Sequence, residues 1–330
     1  MTGIGRRAGL GLFGAGLAAW KGEGSARAAS EEAYPTRPIR VVVPLTAGGS
    51  VDLLTRAIAP QISAILGQPL VIENRPGGTT VIGTQLVTRA EPDGYTLLSA
   101  SSSVELNKFL MRSLPYDPQR DLTPVAQLAS IPFVLVVHPQ VPVKNLAELI
   151  AYARAHPGEV AYASYGIGGP GHLSGELFNR MTGVDTLHVP YLGIPPALVD
   201  VIAGRVSMIF STFPLALPEI TNGRLRALAV TSTERVDMLP GVPTLSEAGI
   251  PGFESSGWNV LYAPAGTSAA VVMRLNEAIT KVLSEASTKE ILKTQGFVVA
   301  PPRSPDEVKA VMVDLARKWE RVIRDAGISL

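Results

Sequence analysis

From residue 39 onward, short β-branched runs alternate with stretches whose apolar residues recur at helical spacing. IRVVV at 39–43 is such a run. It stops at Pro44, passes through Thr46-Ala47-Gly48-Gly49 and enters LLTRAIAPQISAIL. There, apolar residues at 53, 54, 57, 58, 62, 65 and 66 share one helical face, interrupted by Gln61. The same reading predicts strands at 70–73, 95–99, 133–137, 160–163, 186–189, 206–210, 226–231 and 258–263. It predicts helices at 50–66, 79–90, 145–155, 171–182, 195–204, 268–286 and 304–325. In the last, Val308, Val311, Met312, Leu315, Trp319, Val322 and Ile323 form an apolar stripe. Ser304 and Glu307 have the spacing of a capping box.

Strands alternating with helices of this length imply parallel sheets with crossover helices. About nine strands without a long linker suit two α/β lobes, with hinge strands near 131–134 and 252–257. Ligands of such folds sit beyond the carboxyl ends of the strands, so a shared cleft is expected.

The turn at 46–50 is a strand–glycine–helix junction, which aims free N–H groups and a helix dipole at whatever lies above it. It has neither the lysine of a P-loop nor the G-x-G-x-x-G of a dinucleotide site. Without a cation, a multiply charged phosphate is poorly neutralised. A carboxylate suits backbone donors, each charge-assisted bond contributing about 1.5–3 kcal/mol. The alternative is a tight turn with no ligand. Asp52 can cap its own helix or accept from a ligand amine or hydroxyl. A second such turn, YASYGIGGPGHL at 162–173, carries Gly166, Gly168, Gly169 and Gly171. Two turns of this kind suggest two helix starts converging on one anion.

The other candidates read as structural. His138, His156, His172 and His188 lack metal-ligand spacing, so no metal or other cofactor is expected. The serines of SASSSVE at 99–105, Ser101 among them, follow a strand, but no G-x-S-x-G elbow accompanies them. Hydroxyls satisfying backbone or ligand oxygens are the simpler reading, and nothing points to an enzyme.

Composition adds the compartment. Hydrophobic residues make up 46% and charged residues 17%, enough for a packed core, and the +1 net charge argues against a nucleic-acid partner. Arg6 and Arg7 precede 13 largely apolar residues, Ala8 to Trp20, and Ala26-Arg27-Ala28 resembles a cleavage site. This is the pattern of a signal peptide over residues 1–28, too short to span a bilayer, which takes roughly 20 apolar residues. The arginine pair leaves twin-arginine and general secretory export both open. Removing the segment leaves 25 basic and 27 acidic residues, a net of −2. The chain has no cysteine, which excludes disulfides, thiolate chemistry and a lipoprotein anchor. A soluble periplasmic protein is expected, without stable membrane insertion.

YPTRPIRVVVPLTAGGSVDLLTR, IENRPGG, DGYTLL, LPYDP, HVPYLGIPPALVDVIAGRV, RALAVTSTER and LPGVPTLSEAGIPGFE, in this order, resemble the tripartite tricarboxylate transporter substrate-binding proteins, the Bug family of periplasmic receptors. The resemblance implies a two-lobed, type II periplasmic binding protein, each lobe a mostly parallel sheet flanked by helices. Lobe I then comprises 34–130 plus 256–330 and lobe II 131–255. It further implies a monomer that closes on a small carboxylate and passes it to a membrane permease, or else reports it to a sensor kinase. The family's carboxylate turns fall here on Thr46, Ala47, Gly48, Gly49 and Ser50, and on Ser164, Tyr165, Gly166, Gly168 and Gly169. The family aspartate falls on Asp52. Ser101, Tyr191 and Ser211 complete the expected ligand-binding set.

Departures from the family pattern bear on the ligand. Thr46 stands in place of a proline, Tyr165 in place of a serine, and Leu192 in place of a lysine. Ile167, Gly169, Pro170 and Gly171 replace polar residues, and Ser211 with Thr212 replaces an acidic stretch. A cleft so altered is expected to favour a less polar ligand, an aromatic or aliphatic monocarboxylate. An exported enzyme acting on a carboxylate is the remote alternative.

Overall fold

The β-branched run Ile39–Val43 forms β1, buried on both faces except at Arg40. The computed structural model describes residues 34–325 together with Gly327 and Ile328; the signal-peptide reading of 1–28 lies outside them. After β1 come α1 (Ser50–Leu66), β2 (Leu70–Asn74), α2 (Val81–Thr88), β3 (Thr96–Ser101), α3 (Ser103–Leu110), α4 (Pro118–Asp121) and β4 (Leu122–Val137). β1 lies between β2 and β3, parallel to both. α1 spans the expected residues and stops at Gly67, whose left-handed φ of 73° lets its N–H reach Ser63 O at 2.9 Å.

The chain repeats the scheme with α5 (Leu146–Ala155), β5 (Ala161–Ser164), α6 (Pro170–Thr182), β6 (Leu187–Pro190), α7 (Ile194–Ile202), β7 (Met208–Thr212), α8 (Phe213–Thr221) and β8 (Arg226–Val230). Here β5 is the central strand, parallel to β6 and β7. β9 (Ser256–Pro264), α9 (Ala269–Ser284), α10 (Ala286–Thr294), β10 (Val298–Val299) and α11 (Pro305–Asp325) follow. Ser304 and Glu307 make the expected capping box before α11: the Ser304 N–H donates to Glu307 Oε2 at 2.8 Å, and the Glu307 N–H to Ser304 Oγ at 3.3 Å.

β4 joins the two parallel groups. Over Leu122–Pro132 it runs antiparallel to β9, which also pairs with β3. Over Phe133–Val137 it runs antiparallel to β7 and β8. Every antiparallel pairing among the described strands involves β4 or β9. The sequence pattern marks only the second part of β4. Its first part, LTPVAQLASIP, contains two prolines and slips register at Pro124/Ala126 and Gln127/Ala129, which erases the period-2 signal. α3 and α8 also lie outside the expected helices; α3 is a short run of mixed polarity, and α8 carries Pro214 and Pro218.

One core cluster joins Val42, Leu98 and Tyr262 of the first group to Val308, Met312 and Trp319 of α11. The second group has a cluster on each face, one around Phe133, Tyr162, Phe178 and Phe210, the other around Val136, Ile209, Val201 and Phe213. α6 approaches β5 closely because Gly175 leaves room for the Tyr162 ring. Replacing that helical glycine by alanine gains about 1 kcal/mol of helix propensity. The new methyl would collide with the Tyr162 ring, an overpacking cost of about 1–3 kcal/mol. Gly175→Ala is therefore expected to lower the urea midpoint, against its propensity.

Glu105 of α3 is 4% exposed, and its Oε1 accepts from the Tyr262 hydroxyl at 3.3 Å. Burial pushes its carboxyl up to about 7, more than the Tyr262 bond and Lys108 can offset. The unfolded chain loses this proton near the ordinary glutamate value and the folded chain only near 7. The stabilisation from the neutral form is thus complete below about 4.5 and lost as pH rises through 7. Within that window stability falls by up to roughly 1.4 kcal/mol per pH unit. Urea denaturation across pH 4–8 should show this fall in the native sequence, and Glu105→Gln should flatten it.

Candidate functional site

The strands of both parallel groups end facing one shared cavity. Leu45, Thr46, Gly49, Ser50 and Val51 reach it from the turn after β1 and the start of α1. Ser101 reaches it from the end of β3, Tyr165 from the turn after β5, Gly193 and Ile194 from the turn after β6, and Thr212 from the end of β7. These are all carboxyl-end positions, where ligands of α/β sheets bind. Ile131 and Phe133 of β4 and Gly257, Trp258 and Asn259 of β9 complete the lining.

Three helices start at this cavity without a side-chain cap. α1 begins at Gly49, α7 at Gly193 and α8 at Thr212, and each of these cap residues borders the space. The first N–H groups of a helix have no partner within it, and the dipole adds positive potential there; α1 offers all of its first N–H groups, whereas Pro195 and Pro196 of α7 and Pro214 of α8 have none to give. In the first turn Gly48 adopts φ +75°, its N–H donates to Asp52 Oδ2 at 2.9 Å, and the Gly49 N–H donates to Thr46 O at 3.3 Å. Asp52 Oδ1 also accepts from Arg56 Nε at 2.9 Å. Burial works against the Asp52 charge, but Arg56, the Gly48 N–H and Asn74 together hold its carboxyl below the usual range. Asp52 therefore fixes the turn from behind and does not border the cavity; neither do Gly48 and Ala47.

The second turn is built differently. Tyr165 borders the cavity, its ring packed over Gly169 and Gly171, while Ser164, Gly166, Gly168 and Gly169 do not. Their polar groups are occupied. The Gly168 N–H donates to His172 Nδ1 at 2.8 Å, the Gly166 N–H to Ser164 Oγ at 3.2 Å, and the Gly169 N–H to Gly166 O at 3.1 Å. Ser164 Oγ also meets His188 Nε2 at 2.6 Å, and His188 stacks on His172 at 3.9 Å between centroids. Burial, followed by the neighbouring His172, pushes His188 down to about 4. Neutral at ordinary pH, it serves as a hydrogen-bonding strut. The Tyr191 hydroxyl donates to Asp200 at 2.6 Å and Ser211 Oγ to Thr212 O at 3.3 Å; neither residue borders the cavity.

Sequence reasoning missed Gly193 and Ile194, the two β4 residues, and Trp258 with Asn259 as contributors. Asn259 is fully buried, and neither its Oδ1 nor its Nδ2 has a partner; Thr212 Oγ1 is likewise buried and unpartnered. The available signal was an asparagine inside the strand WNVLYA, a residue type depleted in strands. No acidic, basic or histidine side chain borders the cavity among the described residues. Across it, Gly193 abuts Thr46 so closely that a methyl group at 193 would collide with Thr46 Oγ1. The φ of Gly193 is −178°, which any residue adopts. Glycine is required there by contact, not by backbone conformation.

This mixed α/β fold is that of the periplasmic solute-binding proteins. The R. palustris protein Rpa4515, solved with adipate, matches with a TM-score of 0.87 and 38% identity over 90% of this chain and 99% of its own. The periplasmic binding protein BugD matches at 0.85 and 32% over 90% and 99%. MatC from Rhodopseudomonas palustris, solved with malate, matches at 0.83 and 33% over 88% and 100%. The chain belongs to the tripartite tricarboxylate transporter family of receptors, whose model matches residues 54–328. Protein BugT of Bordetella pertussis is 39% identical over 311 residues, 93% of this chain and 94% of its own. The family consists of periplasmic solute-binding receptors, and no described helix is long and apolar enough to cross a membrane.

Proposed function

We propose that this protein captures a small carboxylate in the cavity between its two parallel strand groups and delivers it to a membrane transporter. The observation that carries the reading is the uncapped start of α1, with the dipole ends of α7 and α8 beside it, on a space bordered by no charged side chain. Such N–H groups hold an anion without a counter-cation. The adipate and malate in the solved relatives support the same ligand class. Leu45, Val51, Ile131, Phe133 and Ile194 offer apolar walls, which favours a single carboxylate on an apolar body over a tricarboxylate.

In this reading residues 34–130 with 256–330 form one lobe and 131–255 the other. They hinge where β4 changes partners at Pro132/Phe133, opposite the start of β9. The protein acts as a receptor without turnover, in the periplasm once residues 1–28 are removed, as a monomer. The Thr46–Gly193 contact belongs to the closed form.

Thermal shift with mono-, di- and tricarboxylates tests capture, after unfolding and refolding to strip any bound ligand. A ligand at about 100 times its Kd adds roughly 2.7 kcal/mol, a rise of several degrees for a chain of this size. A flat response to every acid overturns the reading. Gly193→Ala is expected to weaken binding at least tenfold while leaving the melting of the empty protein unchanged. Adding Thr46→Ala should restore affinity by clearing the collision. Unaltered affinity in Gly193→Ala would rule out closure through this contact.

A further inference from the structure

The side chain of Asn259 makes no hydrogen bond within the fold. It sits mid-strand in β9, opposite Ser101 of β3 and Ala129 of β4, fully buried, with its donor and its acceptor both unpartnered. An unpaired buried amide is destabilising, whereas an apolar side chain of similar volume would pack without that penalty. Thr212 Oγ1 and Trp258 Nε1 are likewise buried and unpartnered, on residues that line the same cavity. The helix starts supply only donors, and the cavity has no cation to neutralise a second charge.

We infer that the ligand carries, besides its carboxylate, an uncharged group that both donates and accepts a hydrogen bond, a primary carboxamide being the closest complement, and that Asn259 selects it. This rests on the carboxylate reading above. A second carboxylate could accept from Asn259 Nδ2, but it would set another acceptor against Oδ1 and bring an unneutralised charge into a buried site. A carboxamide matches both atoms, its NH₂ toward Oδ1 and its carbonyl toward Nδ2. A ketone or ester leaves Oδ1 unpaired, and a site built around such a pair discriminates strongly against the analogue that lacks one half of it. Thr212 Oγ1, able to donate or accept, adapts to the remaining lone pair or proton.

The test is calorimetric titration at neutral pH with matched series running from succinate to suberate: each diacid, its monoamide, and the methyl ketone acid of equal length. At the best-fitting length, the monoamide is expected to bind at least tenfold tighter than both the diacid and the ketone acid. Asn259→Leu should bring the monoamide and ketone acid to equal affinity and raise the melting temperature of the empty protein. A diacid binding as tightly as its monoamide overturns the ligand class while leaving carboxylate capture standing. A variant that keeps the monoamide preference removes Asn259 from its role. Binding by no member of any series overturns this inference alone where the wider acid panel still raises the melting temperature, and the carboxylate reading with it where that panel is flat too.

Discussion

The antiparallel pairing of β4 with β9 is the constraint on which the rest depends. A parallel sheet grown by crossover helices can extend at its edges, but it cannot turn its carboxyl ends toward those of another such sheet without a reversal. β4 runs the length of both groups, pairing with β9 over one stretch and with β7 and β8 over the other. Because those partners are antiparallel to it, the turns after β1, β3, β5, β6 and β7 all arrive at one cavity. The switch falls at Pro132, a residue that cannot donate to a ladder and so marks where one pairing ends.

Once the turns meet, their chemistry follows from what is left unpaired. The starts of α1, α7 and α8 carry Gly49, Gly193 and Thr212 with no capping bond, although a capping side chain is worth about 1 kcal/mol at such a position. Away from the cavity capping is mixed: Asn145 accepts from Glu148 before α5, Ser268 from Val271 before α9 and Ser304 from Glu307 before α11, while α2, α3, α6 and α10 start without a capping side chain. What sets the three starts at the cavity apart is the space they border, not the missing cap alone.

How much of this was legible in the sequence depended on how far each feature is local. α1 and its glycine turn were readable because a β-branched run, a Gly-Gly step and a helical apolar face are all short-range signals. The capping box before α11 was readable for the same reason. The first part of β4 was not, since its two register slips and two prolines are stabilised by β9, over a hundred residues away in the chain. Gly193 looks in sequence like any glycine ahead of a helix, and its extended φ gives no hint of special need. Its role comes from Thr46, which the fold brings against it from a distant part of the chain. Asn259 was a local anomaly whose meaning depends on the absence of partners in three dimensions.

The two glycine turns look alike in sequence yet divide the work. In the first, Asp52 anchors the turn from behind through Gly48 and Arg56, so the helix start ahead of it stays open. In the second, Ser164 and His172 absorb the N–H groups of Gly166 and Gly168, with His188 bracing Ser164. What that turn presents to the cavity is the Tyr165 ring, laid flat over glycines that have no side chain to displace it. One turn therefore leaves a helix start open to the cavity and the other lines it with an aromatic ring. With His188 neutral and Asp52 ionised across the ordinary pH range, neither support changes charge when the ligand arrives. The site's electrostatics rest on fixed backbone dipoles, which cannot be titrated away.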